Sequence, residues 1–128
     1  MKKYIGIILN FPISIPGFIG ALLSGPKRVA FSKKPFAIIF YVRNFWWWQW
    51  LPGQKGVRGM ANGWVVQLGP HELPGDLEHE LVHVEQAERA PFIHFFKYWL
   101  ENRRMGYRAN KYEVEAYDRA GNWYKKAE

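Results

Sequence analysis

Three stretches of different hydrophobic patterning divide the chain. Between Tyr4 and Leu23 only Asn10 and Ser14 interrupt an apolar run of about 20 residues, the length a bilayer span needs. Pro12, Pro16 and Gly17 lie near its middle, where they bend or break a helix. A re-entrant or in-plane apolar hairpin therefore fits better than a straight span. Lys2 and Lys3 precede the run, and Lys27, Arg28, Lys33 and Lys34 follow it, so both ends carry the positive flank of a cytoplasmic side. No small-x-small cleavage pattern follows the run cleanly, which argues against a signal peptide. A buried helical hairpin of a soluble domain is the competing reading.

Residues 28–70 read as β-rich. Phe36 to Val42 is a β-branched and aromatic run after Pro35, and Gly63 to Leu68 is a second, closed by Gly69-Pro70. The glycine-dense LPGQKGVRGMANG between them reads as turns. Phe45-Trp46-Trp47-Trp48-Gln49-Trp50 fits either an interfacial aromatic belt or the packed face of a small sheet.

Residues 76–120 switch to helical spacing. Asp76 follows Pro74-Gly75 as an expected N-cap, with Glu78 and Glu80 in the first turn, where acids suit the helix dipole. That helix runs to about Ala90. Pro91 opens a strongly aromatic second helix that ends near Gly106, and a third runs from about Asn110 to Gly121-Asn122. The expected architecture is α+β: a small β-sheet packed against a three-helix core, with an N-terminal apolar hairpin or helix. Residues 1–27 are the membrane-associating segment and residues 28–128 the domain proper.

Composition changes this picture in two ways. With no cysteine in 128 residues, disulfides and thiolate ligands are excluded, so any metal must be held by His, Glu or Asp. The net charge of +7 favours anionic partners, whether headgroups, nucleic acid or an acidic substrate. Nucleic acid is the weakest of these, because the basic residues do not alternate with the aromatics.

The chemistry concentrates in LEHELVHVEQ, where His79-Glu80-Leu81-Val82-His83 reads H-E-x-x-H. Two histidines four apart on a helix share a face and can converge on one ion. The Glu between them points to a neighbouring sector, from which it can act as general base on water. The candidate roles are thus metal ligands for His79 and His83 and general base for Glu80. With four His and nine Glu in the chain, chance supplies such a match about 0.01 times. Ordinary packed helical histidines are the alternative. A catalytic zinc ion usually takes a third protein ligand, and His94, Glu101, Glu113, Glu115 and Asp118 are available. Glu113, Ala116, Tyr117 and Ala120 form one stripe at i, i+3, i+4 and i+7, apolar except for Glu113, and a carboxylate in a core-facing stripe needs a partner. Glu113 is chosen on that ground, with Glu115, on a solvated face, in reserve. His94 reads as a packed histidine and His71 as an exposed one. Tyr107 and Arg104 are named as oxyanion donors, although Arg103-Arg104 also suits a helix C-terminus.

His79-Glu80-Leu-Val-His83 followed by Glu113-Val-Glu-Ala116-Tyr117 resembles the gluzincins, zinc metallopeptidases whose third ligand is a Glu on a later helix. Glu113-x-x-Ala116 is similar to the E-x-x-A-D of membrane-embedded heat-shock and prenyl-processing metallopeptidases. His83-Val-Glu-Gln86 resembles small bacterial H-E-x-x-H-x-x-Q proteins and the minigluzincins. The resemblance spans residues 63–121. It implies a zincin-like core, one zinc ion on His79, His83 and Glu113, Glu80 as base, and Gly63 to Leu68 as the cleft strand along which a peptide adds. It departs at Tyr117, where those families often carry an Asp that orients the first histidine. The expected function is a zinc-dependent, membrane-associated metallopeptidase acting on peptide or protein substrates, its catalytic domain cytoplasmic. The alternative is a non-catalytic zinc-stabilised module that binds membrane or protein.

Overall fold

In the computed structural model, which describes residues 2–45 and 58–121, the chain is α+β, with five helices and a four-stranded mixed sheet. The elements in order are α1 (Lys2–Leu9), α2 (Phe11–Leu23), β1 (Pro26–Lys33), β2 (Phe36–Val42), β3 (Gly59–Asn62), β4 (Val65–Leu68), α3 (Asp76–Arg89), α4 (Ile93–Met105) and α5 (Lys111–Ala120). The sheet order is β1-β2-β4-β3. Only β2 and β4 pair in parallel.

That parallel pair explains why both strands read as continuous apolar runs rather than alternating ones: both faces are covered. Phe40, Val42 and Val65 face α2 and pack with Ala21 and Phe45. Ala37, Ile39, Val66 and Leu68 face α3 and pack with Val84. β1 falls largely within the stretch that reads as β-rich, without a run of its own, whereas β3 replaces part of the expected glycine-rich turns. β1 is an exposed, charged edge, and β3 is four half-buried residues opposite β4. Edge strands lack the second packed neighbour that would impose an apolar pattern on their sequence. Within the aromatic cluster, Phe45 is a core residue against Gly69. Trp46 to Trp50, like Asn122 at the expected end of the third helix, lies outside the described residues.

The N-terminal run forms two helices broken at Asn10, not at its prolines. Pro12 sits in the first turn of α2, where a missing N–H leaves no bond unmade, and Pro16 lies inside the helix. Among the described residues no helix is long and apolar enough to cross a membrane. The small or polar residues of α2 face the sheet. Ser14 Oγ accepts from Trp64 N at 3.1 Å and Gln67 Nε2 donates to the Gly17 carbonyl at 3.1 Å. Gly63 has φ +59°, and a methyl group there would sit 2.2 Å from Ser14 Oγ, so the turn into β4 and the approach of α2 both require glycine.

Asn10 ties this hairpin to the distal helices. Pro91 has no N–H to give the Ala87 carbonyl its helical bond, and Asn10 Nδ2 supplies the replacement at 3.0 Å. Its Oδ1 accepts from Phe92 N at 2.8 Å, holding a non-glycine residue at φ 65°. Asn10→Ala orphans the buried Ala87 carbonyl and the partly buried Phe92 N–H and is expected to cost about 2–4 kcal/mol. The check is the urea midpoint at unchanged m-value.

Two boundaries shift. Gly75, in the left-handed region, is the N-cap of α3. Asp76 is its first helical residue, accepting from Leu73 N and pairing with Arg58 at 3.1 Å. α4 starts at Ile93 rather than Pro91.

Candidate metal centre

α3 is the central support of the site: its apolar side packs on the sheet and its other side meets α5. His79 and His83 lie one turn apart on the side facing α5, with Nε2 atoms 3.2 Å from each other. α5 is started by Asn110, whose Oδ1 accepts from Tyr112 N while its Nδ2 reaches the Tyr98 carbonyl. This cap sets the phase that points Glu113 inward, 3% exposed. Glu113 Oε1 lies 2.6 Å from His83 Nε2, and Oε2 lies 3.2 Å from His79 Nε2. His79, His83 and Glu113 form a buried group that could hold a metal ion.

The donor set fits an ion in three respects. Four-coordinate nitrogen and oxygen ligands at about 2.0–2.2 Å from a metal stand about 3.3 Å apart, close to the 3.2 Å of His79 to both partners, while the 2.6 Å between His83 and Glu113 is a direct contact that an ion would open. Glu113 Oε2 is buried with no hydrogen bond of acceptable geometry, despite His79 beside it. An orphaned buried carboxylate oxygen is costly unless something cationic faces it. The third respect is His83, whose Nδ1 is 2.9 Å from Gln86 Oε1. An amide oxygen only accepts, so Nδ1 carries the proton and Nε2 is turned to the group. Gln86 is fixed in turn by donating Nε2 to the Tyr112 carbonyl and to Glu115.

The group is also an electrostatic unit. Burial favours the neutral carboxylic acid at Glu113, but the neighbouring His79 and His83 outweigh it and hold the carboxyl well below the usual range. Burial opposes a charge on His83, yet the hydrogen bond and charge of Glu113 push it up to about 9. Glu80 is 8% exposed and lies against Gly59 of β3. Burial pushes its carboxyl up to about 7, only partly offset by His83 and His79. A carboxyl balanced near neutrality can both take and return a proton.

Around this centre, Tyr98 donates its hydroxyl to Glu113 Oε1 at 3.1 Å. Tyr98 was not anticipated, because it comes from α4, whose packing direction the helix pattern does not reveal. The Tyr107 hydroxyl is 2.9 Å from that of Tyr117 and within reach of Glu113. Burial and the charge of Glu113 push the Tyr98 and Tyr107 phenols far up, so both remain donors. Tyr117 meets His79 through its ring, centroids 4.3 Å apart. Glu115 is outside the group, paired with Arg89 at 2.6 Å on the surface. Arg103 and Arg104 are exposed in the last turn of α4. The stretch from Gly63 to Leu68 does not line an open cleft edge. β4 is wholly buried between β2 and β3, leaving no edge for another strand. The edge beside Glu80 belongs to β3.

His94 lies outside the ligand group, its ring edge-on to Tyr112 at 4.8 Å. Burial, with the charges of His83, Arg89 and Lys97, lowers it to about 4. The unfolded chain protonates near 6.5 and the folded one near 4, so stability is lost as pH falls through that window. Between pH 7 and about 4.5 the loss attributable to His94 is about 2–3 kcal/mol. His94→Phe is expected to remove that part of the acid sensitivity, read as the difference in urea-unfolding free energy at the two pH values.

No protein-family model, no curated protein and no solved structure matches the chain.

Proposed function

We propose that the protein is a zinc-dependent metallopeptidase with a zincin-like core, one zinc ion held by His79, His83 and Glu113 and Glu80 as general base. The observation that carries the reading is the buried Glu113 carboxylate set against two histidines, its Oε1 2.6 Å from His83 Nε2 and its Oε2, without a hydrogen bond, 3.2 Å from His79 Nε2. The borderline nitrogen and oxygen ligand set suits zinc, which the absence of thiolates does not disfavour. When bound, the ion would supply Lewis acidity to a peptide carbonyl and to water.

The chain's own residues account for the proton movements. The Glu80 carboxylate takes a proton from water as its oxygen attacks the carbonyl carbon. The same carboxyl then returns that proton to the amide nitrogen as the C–N bond breaks. A group near pH 7 serves both directions at neutral pH. Tyr107, a half-exposed donor beside Glu113, is the residue that would turn its hydroxyl to the developing oxyanion. β3, the sheet edge next to Glu80 among the described residues, is where an extended peptide would add as a further strand.

A buried carboxyl beside the ligand group favours catalysis over a purely structural ion, which would need no base. The same proposal keeps residues 1–27 as membrane-associating, supported by their outward apolar side chains. It keeps the catalytic domain cytoplasmic, supported by the flanking Lys and Arg. The test is cleavage of a peptide library by the zinc-loaded protein, lost on chelation and restored by zinc. Stoichiometric zinc without cleavage would overturn the catalytic reading and leave a structural site.

A further inference from the structure

We propose that α4 is a lipid-docking element, its outward face joining those of α1 and α2 on an anionic bilayer surface. This adds a second element to the N-terminal segment and does not depend on the metal centre.

α4 is inverted for a helix of a water-soluble domain. The residues it turns inward are polar: His94 is buried, and Tyr98, Glu101 and Asn102 are half-buried. Those turned outward are large and apolar, with Ile93, Phe95, Phe96, Trp99 and Leu100 each 48–55% exposed. α2 repeats the inversion, with Ser14, Gly17 and Ala21 inside and Ile15, Ile19 and Leu22 outside. Of the 21 exposed large hydrophobic side chains among the described residues, 17 belong to residues 4–23 or 92–105. The two faces adjoin where Asn10 bonds Phe92 N. Leu9 and Phe11 on one side of that bond and Phe92 and Ile93 on the other are all exposed. Exposed large apolar side chains concentrated in this way mark an interaction site.

Charge decides the occupant. All eleven acidic residues lie at Glu72 or later, while residues 1–71 carry nine Lys and Arg and no acid. The outward side of α4 adds Lys97, Arg103 and Arg104, again without an exposed acid, and Arg103 lies 5.0 Å over the Trp99 ring. A second copy docked about a two-fold axis would set these cations against one another. Anionic headgroups neutralise them, while aromatic rings settle at the depth of the headgroup boundary. α4 also holds the metal centre through Tyr98. Lipid docking would therefore bring that centre to the bilayer surface and favour peptide bonds close to it, a consequence that rests on the proposed activity.

The experiment is co-sedimentation of the full chain with phosphatidylcholine vesicles, with and without phosphatidylglycerol as about a third of the lipid. The chain is expected to bind the anionic vesicles more tightly. The variant combining Phe95→Ser, Phe96→Ser and Trp99→Ser is expected to lose about tenfold or more in partitioning. Arg103→Gln with Arg104→Gln is expected to lose on the order of tenfold on anionic vesicles and little on neutral ones. Far-UV circular dichroism and the thermal midpoint establish that each variant is folded, and the surface arginine pair keeps the test open if the apolar triple is not. Folded variants that bind like the wild type overturn the proposal. So does equal binding to both vesicle types, or a lipid-free dimer that the α4 substitutions dissociate.

Discussion

Glu80→Gln is expected to lower peptide hydrolysis by about 10²–10⁴-fold while leaving zinc content at one ion per chain. The amide matches the carboxyl in shape, so it preserves the packing against Gly59. It cannot take a proton from water. The loss should fall on kcat and kcat/KM together, as for a group acting only in the transition state. With the wild-type carboxyl near 7 in the metal-free protein, activity depends on the ionised form and should fall as pH drops below neutrality. A bound cation shifts this limb to lower pH by favouring the carboxylate. Wild-type rates in the glutamine variant would remove Glu80 from the mechanism even with zinc bound.

Glu113→Gln and His79→Ala are expected to abolish stoichiometric zinc at neutral pH, the second large effect. Losing a ligand should cost more than the about 10–100-fold that follows loss of an outer partner. Gln86→Leu, which removes the acceptor at His83 Nδ1, supplies that smaller comparison. The pH dependence has a definite sign. His83 in the metal-free protein is held at about 9 by Glu113, so an ion must displace one proton at neutral pH. Apparent affinity should therefore rise about tenfold per pH unit toward 9 and level off above it. Metal titration by calorimetry in buffers of different ionisation enthalpy counts the proton released. Undiminished zinc in both folded ligand variants would overturn the site. Zinc is also expected to raise the thermal midpoint of the wild type and not of these variants.

The inward face of Glu113 is legible in the sequence because helical spacing alone assigns faces. Ala116 and Tyr117 are buried with Glu113, and Glu115 falls on the ion-paired surface. Likewise β2 coincides with its apolar run, and α3 and α5 end within a residue or two of their punctuating Gly and Pro. These features depend on local periodicity, which the chain carries in its own order. Tyr98, the β3 edge and the role of Asn10 were not legible. Tyr98 reaches Glu113 only because α4 turns its polar side inward, and an aromatic helix gives no local sign of which side that is. β3 is too short and too half-buried to leave a pattern. Asn10 reads as a blemish in an apolar run, yet it completes the carbonyl that Pro91 leaves unbonded, 77 residues along the chain from Ala87.

By itself, then, the order of residues determined the helices, the central strands and the pairing of His79 and His83 on one face, because these follow from spacing within a few turns. Only the tertiary structure decided that Glu113 meets them, that Glu80 sits desolvated near neutrality against the sheet, and that α2 and α4 show their apolar sides outward. Those outcomes depend on which surfaces exclude water and on contacts between distant segments, and neither is encoded at any single position.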